Sequence, residues 1–342
     1  MTTISKYSGR GLTGLENLGN TCFLNSMIQC LSHMYEFNDF LDLLNEKKLN
    51  NVVDTVLLVE YNKLRTLMWS ENCSISPAGF VASVQKVARI KGKDLFTGFA
   101  QNDLPEFLLF MIDAFHCALS REVSMVIKGS ARNSKDKLAK ACYDMMKKMY
   151  QKEYSEILGL FYGIHVSCII CPTTSTILSF SPEPYFMLNL PIPDKTNVDI
   201  LDCFTLYTTT ELLSGEEAWY NEKTKCKQNV NKKLVFWSLP KLLVLDLKRF
   251  NNPDRKNQVL VSVPLDGLNL DRFVEGYHGQ SNVYDLFGVC NHLGGIHGGH
   301  YTATIRNANN KWYCFDDLSV KQISDSEVIS SKAYCLFFRK KT

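Results

Sequence analysis

At 342 residues and 45% hydrophobic, the chain carries enough apolar material for a large core, as one large or two average domains, and it is not a disordered polypeptide. A formal net charge of +3, with 21% charged residues and no basic stripe, argues against nucleic acid as a partner. Twelve cysteines without a disulfide grid, no signal peptide and no apolar run long enough to span a bilayer argue against a membrane and for a reducing intracellular compartment, cytoplasmic or nuclear.

The first informative element is residues 15–31, LENLGNTCFLNSMIQCL. Gly19 and Asn20 are turn formers, and Phe23, Leu24, Met27, Ile28, Leu31 and Met34 recur at helical spacing, so the pattern predicts an amphipathic helix with Cys22 at its N-terminus. Unpaired backbone N–H groups and the positive end of the helix dipole favour thiolate there, and thiolate is the reactive form. A lone cysteine is more often a small buried hydrophobe, so the nucleophile reading needs a base elsewhere in the chain.

A second helix is expected with Val53, Val56, Leu57, Leu64, Leu67 and Met68 on one face, and a third with Ser76 as N-cap and Pro77 in its first position. A fourth begins near Asp103. Residues 134–150 form a lysine-rich helix with Leu138, Cys142, Met145 and Met149 inside and its lysines on a solvated face. From about residue 160 the period shifts towards two, predicting strands at 160–168, 185–190, 233–237, 242–248, 258–263, 283–290, 299–306, 311–316 and 334–339. No repeat or linker divides the sequence. An α+β architecture follows, with a cleft between a helical half and a sheet half.

The base comes from the sheet half. Residues 288–306, GVCNHLGGIHGGHYTATIR, place His300 after a glycine-rich loop at the start of a strand, and Asp316 and Asp317 end the next one, KWYCFDD. Adjacent antiparallel strands let a carboxylate hold the imidazole in the tautomer that deprotonates a thiol, giving a Cys-His-Asp arrangement.

Together these segments resemble the two signature boxes of the ubiquitin-specific proteases, the papain-like deubiquitinating enzymes. QNDLPEFL at 101–108, PYFMLNLPIP at 184–193 and LPKLLVLDLKRF at 239–250 also look like that family, in the right order, so the resemblance covers roughly residues 11–340. It implies a single papain-like catalytic domain over 11–340. Its helical thumb would span about 11–155, and its β-sheet fingers and mixed palm about 156–340. It also implies hydrolysis of the bond after the C-terminal glycine of ubiquitin through a Cys22 thioester, with ubiquitin and ubiquitinated proteins as partners and no cofactor.

By motif position, the resemblance makes Cys22 the nucleophile, His300 the general base, Asp316 the residue that orients it and Asn17 the side-chain donor to the oxyanion. Asp317 remains an alternative to Asp316, and Asn17 also suits an Asx-turn. For the extended, arginine-bearing tail of ubiquitin, the resemblance places Gln101, Asp103, Glu106, His292, Gly298, Gly299 and Tyr301 in the binding channel. Asp103 and Glu106 also read as a capping-box-like pair before an apolar helix. Pro105 departs from the family, which usually has glutamine there, and His297 is expected to face solvent.

Many members of the family hold zinc with two Cys-x-x-Cys pairs. Here Cys168-x-x-Cys171 or Cys171-x-x-Thr174 would be the first pair, while Asn221 and Thr224 stand where the second should fall, so no metal is expected. Two other readings remain: a silent ubiquitin-binding scaffold, and a protease for another ubiquitin-like modifier. No regulatory partner is implied, and the helix at 134–150 is the place to look for one.

Overall fold

The computed structural model describes residues 3–44, 49–50, 52–250, 255–277, 281–295 and 298–341. His297 lies outside them. Helices come first: α1 Cys22–Ser32, α2 Tyr35–Asp42, α3 Thr55–Ser70, α4 Ala78–Ile90, α5 Leu104–Leu119, α6 Ser134–Tyr150 and α7 Glu156–Phe161, with α8 Ile200–Tyr207 among the strands that follow. Among the described residues no helix is long and apolar enough to cross a membrane.

α1 differs from the amphipathic helix expected: every one of its residues is buried. Its polar side chains face backbone groups of the segment that leads into it. Asn25 donates to the carbonyls of Leu15 and Glu16, and Gln29 donates to that of Thr13 at 2.7 Å. Polar groups survive burial because each donor finds an acceptor. α3 is also turned from its expected face, since Val56 and Leu67 are exposed while Leu58, Tyr61 and Trp69 are buried. Arg65 on that face reaches Asp42 of α2 at 2.7 Å, which lets a guanidinium sit on the inner side. α4 starts one residue later than predicted, with Pro77 itself at the N-cap and Ala78 first in the helix.

The main sheet runs in the order Ser319–Ile323, Trp312–Asp316, Gly298–Arg306, Val283–Gly295, Ala333–Lys340, Leu242–Leu247, Met187–Leu190. Its pairs are antiparallel except the last, where Leu242–Leu247 runs parallel to Met187–Leu190. Leu242–Leu247 is buried along its whole length because both faces are covered. Leu242 and Val244 enter the core shared with α1–α5, whereas Leu243 and Leu245 enter a second core that includes Ile200, Cys203 and Phe204 of α8.

A four-stranded sheet, ordered Ile177–Tyr185, Gly163–Ile170, Val230–Ser238, Glu211–Leu213, carries α6 on one face. α6 matches its predicted span, with Leu138 and Cys142 inside and Met145 half-buried. Two turns beside this sheet close alike. Ser175 N donates to Cys171 O at 2.9 Å with Ser175 at φ 54°, and Lys225 N donates to Asn221 O at 2.7 Å with Lys225 at φ 57°. First and fourth positions of these turns hold Cys171 and Thr174 in one, Asn221 and Thr224 in the other. Cys168 is instead buried in the core under α6.

Candidate active site

Two positive-φ residues, Gly19 at 104° and Asn20 at 55°, turn the chain sharply into α1 and put Cys22 in its first position. α1 packs against the strand Gly298–Arg306, so the thiol lies against the backbone N–H of Tyr301, the residue after His300. Burial pushes the Cys22 thiol up from its ordinary value, against smaller pulls from the N–H groups of Tyr301, Phe23 and Cys22 itself, and Asp317 adds to the rise. The helix N-terminus alone therefore does not ionise this cysteine, contrary to the expectation from sequence. Desolvation outweighs the N–H groups that face the sulfur.

His300 and Asp316 meet as the paired strands suggest. His300 Nε2 and Asp316 Oδ1 are 2.6 Å apart, the closest strand pairing being Ala303 opposite Phe315. A carboxylate on Nε2 fixes the proton there and leaves Nδ1 as the basic nitrogen. Among the described contacts the thiol and the imidazole are not hydrogen-bonded to each other, a looseness common in unliganded catalytic pairs.

The two aspartates take different partners. Asp316 ends its strand and meets His300, and Asp317 follows at φ 47° in the turn. Asp317 accepts from Asn17 Nδ2 at 2.9 Å and from Asn25 Nδ2 at 2.8 Å, while its carbonyl accepts from Leu15 N at 2.9 Å. Asn17 in turn accepts from the N–H groups of Gly19 and Thr21, both at 3.1 Å. Asn17 is thus an Asx-turn residue with its amide nitrogen aimed by Asp317, and one of its two N–H groups remains for another acceptor. The carboxylate of Asp317 clamps both asparagines, a role that the sequence showed only as an ambiguous second acid.

Beside this centre opens a cleft of about 370 Å³, whose walls include Gln101, Asp103, Phe250, His292, Gly298, Gly299, Tyr301 and Tyr334. Six of the seven residues expected to bind substrate lie here; Glu106 is exposed and does not line it. Asp103 caps α5 by accepting from Glu106 N, and its other oxygen accepts from Tyr334 at 2.7 Å. The capping is one-sided: Glu106 returns no bond to Asp103. Burial pushes the Asp103 carboxyl up, partly offset by the Tyr334 hydroxyl and the Glu106 N–H. Pro105 sits in the first turn of α5, where no N–H is missed.

Gln101 bridges the cleft. Its Nε2 donates to Gly299 O at 3.0 Å and its Oε1 accepts from Gly299 N at 2.8 Å, the paired pattern of a β-ladder made by a side chain. Gly298, at φ 144°, leaves the room that Gln101 fills. Sequence reasoning passed over Asn25, Phe250, Lys256 and Tyr334. A polar residue repeated at four-residue spacing in an otherwise apolar helix, Asn25 and Gln29, was the available signal for the first.

Among the described residues the one cluster of three or more potential metal-ligand atoms is His300, Asp316 and Asp317, all within 4.8 Å of one another. Its imidazole is already held by Asp316, as a hydrolase needs. The chemistry such a pair supports beside a thiol is that of a thiol hydrolase with its base on a sheet and its nucleophile on the helix packed against it.

Comparison with known proteins agrees. The family model described as ubiquitin carboxyl-terminal hydrolase matches residues 13–338. Ubiquitin carboxyl-terminal hydrolase 2 of Bos taurus is 35% identical over 354 residues, covering 98% of this chain and 56% of the relative. Ubiquitin carboxyl-terminal hydrolase 21 of Bos taurus is 32% identical over 357 residues, covering 97% and 62%. This chain therefore spans less than two thirds of the length of either relative. A solved structure of the SAGA Ubp8/Sgf11/Sus1/Sgf73 DUB module bound to ubiquitin aldehyde shares the fold, with a TM-score of 0.75 at 24% identity over 100% of this chain and 72% of that one. The chain belongs to the ubiquitin carboxyl-terminal hydrolase family.

Proposed function

We propose that the chain is a cysteine-type deubiquitinase that hydrolyses the isopeptide or peptide bond after the C-terminal glycine of ubiquitin. The observation that carries this is the His300–Asp316 pair at 2.6 Å beside Cys22 at the start of α1, in a member of this family. Names of the relatives and the ubiquitin aldehyde bound in the solved DUB module support ubiquitin as the substrate. The cleft walls support it too, with glycines beside the chain and Asp103 available to a tail that carries arginines. Residues 11–340 act as one catalytic domain, with the helical part as thumb and the two sheets as palm and fingers. Twelve free cysteines support a reducing intracellular setting.

In the reaction the Cys22 proton passes to His300 Nδ1 as sulfur attacks the glycine carbonyl. The resulting oxyanion is met by the free N–H of Asn17 and the backbone N–H of Cys22. Collapse breaks the C–N bond, His300 returns its proton to the leaving amine, and a thioester remains on Cys22. Water then gives a proton to His300 and attacks the thioester, releasing ubiquitin with its carboxylate and restoring the thiol. Burial pushes the Cys22 thiol up from its ordinary value, so the thiol depends on His300 to take its proton.

Steady-state cleavage of a fluorogenic ubiquitin substrate tests the roles. Cys22→Ala abolishes turnover, and Asp316→Ala lowers kcat by about 100-fold as the imidazole loses its orientation. Asn17→Ala costs about 100 to 1000-fold in a wild-type background. In an Asp317→Ala background the same change costs little, because the amide has already lost the carboxylate that aims it. Full additivity of the Asn17 and Asp317 effects would contradict the coupling.

A further inference from the structure

Lys256 is an ammonium buried where lysine is rarely found: it is 7% exposed and, among the described residues, pairs with no carboxylate. Its segment is pinned by Arg249, which is fully buried and donates to Ala333 O at 2.6 Å, Asn257 O at 3.0 Å and Val259 O at 2.9 Å. Asn257 N returns a bond to Arg249 O. Held this way, Lys256 Nζ lies 3.0 Å from His292 Nδ1 and also donates to the His292 backbone carbonyl.

An ammonium has three N–H groups and no lone pair, so the nitrogen facing it must be the acceptor. His292 is then neutral with its proton on Nε2. Burial, with the Lys256 charge behind it, pushes His292 down to about 4, and burial, with Arg249 nearby, pushes Lys256 down to about 8, so near neutrality the lysine is charged and the ring is not. The ring cannot swing away. It is caged by Tyr301, Phe250 and Tyr334 at centroid distances of 4.7, 5.6 and 5.9 Å. Its Nε2 would lie 2.5 Å from a Cβ placed on Gly299, the residue before His300, and His292 lines the cleft there.

We propose that Lys256 is a positioning residue for substrate: it locks His292 in the Nε2–H tautomer, and that N–H donates to a backbone carbonyl of the extended tail lying in the cleft beside Gly299. The tail's identity rests on the deubiquitinase reading, whereas the tautomer belongs to the free protein. In the other tautomer Nε2 would present a lone pair to that carbonyl and repel it.

Two measurements test this separately. In two-bond proton–nitrogen correlation spectra of histidine-labelled protein, His292 of the wild type shows a protonated Nε2 and a bare Nδ1, and Lys256→Met shifts the ring towards the other tautomer. With a fluorogenic ubiquitin substrate, Lys256→Met raises KM about tenfold, one hydrogen bond's worth, with kcat within about twofold. His292→Gln, whose amide offers a donor at the Nε2 position without a tautomer to choose, makes KM insensitive to Lys256→Met. A proton on Nδ1 in the wild type overturns the proposal even if every variant fails to fold, and so does an unchanged KM in a folded Lys256→Met protein. Wild-type protein that cleaves no ubiquitin substrate would overturn the deubiquitinase reading and the assignment of the tail with it, while the spectra would still report on the lock.

Discussion

Cys22 and Cys171 show how differently two thiols of one chain are set. Cys22 is buried at a helix N-terminus and held protonated, whereas Cys171 sits in an open turn where the Thr173 and Thr174 hydroxyls and N–H groups bring it down to about 6. Thiolate is the form that alkylates. In the free protein at pH 7, iodoacetamide should therefore label Cys171 before Cys22, with Cys22 labelling rising only above the ordinary thiol range, as read by peptide mass spectrometry across pH. Faster labelling of Cys22 at pH 7 would mean that the helix end does ionise it. At this scale local signals told placement: Cys22 at a helix start, and His300 meeting Asp316 from adjacent strands, were legible from turn, strand and helix signals. The division of labour between Asp316 and Asp317 was not, because it depends on the backbone turning to φ 47° between neighbours. Nor was the burial of Cys22, which is set by a strand almost 280 residues away in the chain.

Elements carry the site by holding their ends still. The hairpin Val283–Gly295 and Gly298–Arg306 brings Gly294 opposite Gly299 and Leu293 opposite His300. A Cβ on Gly299 would overlap the Leu293 carbonyl oxygen and crowd His292 Nε2, so Gly299→Ala must move the strand that presents His300. A displacement near 1 Å costs about 100-fold in kcat/KM. Gly159→Ala in α7, where a Cβ meets nothing, should leave kcat/KM unchanged and serves as the control. Equal activity of the two variants would show that the hairpin tolerates the shift. Helix α6 was legible to the residue because its polar face is solvated, whereas α1 was legible as a helix but not as one buried on all sides, because Asn25 and Gln29 face backbone acceptors rather than solvent. The capping box of Asp199 and Asp202 announces α8 and was passed over. Strand Ile177–Tyr185 was hidden by Pro182 and Pro184, tolerated because it is the edge of its sheet. The strand expected at 258–263 shrinks to Val261–Ser262, which pairs with Val198–Asp199.

Across the whole molecule, the main sheet has a core on each face, and its helix-facing core joins the two halves that carry Cys22 and His300. That union was legible, since a site drawn from both ends of a chain requires its halves to pack together. The turns at Cys171–Thr174 and Asn221–Thr224 share one backbone closure and hold a single cysteine, Cys171, at their first and fourth positions. Side-chain bonds tie them, Thr174 to Thr176 at 2.8 Å and Asn221 to Gln228 at 3.3 Å. Elemental analysis of the purified protein should accordingly find no stoichiometric zinc, and a full equivalent per chain would contradict that. The most direct test of the deubiquitinase assignment uses ubiquitin whose terminal glycine carboxylate is replaced by a thiol-reactive electrophile. A single adduct on Cys22, absent in Cys22→Ala and unaffected by Cys171→Ser, is the predicted result; a folded protein that forms no adduct, or forms it at Cys171, would contradict the assignment of both nucleophile and substrate.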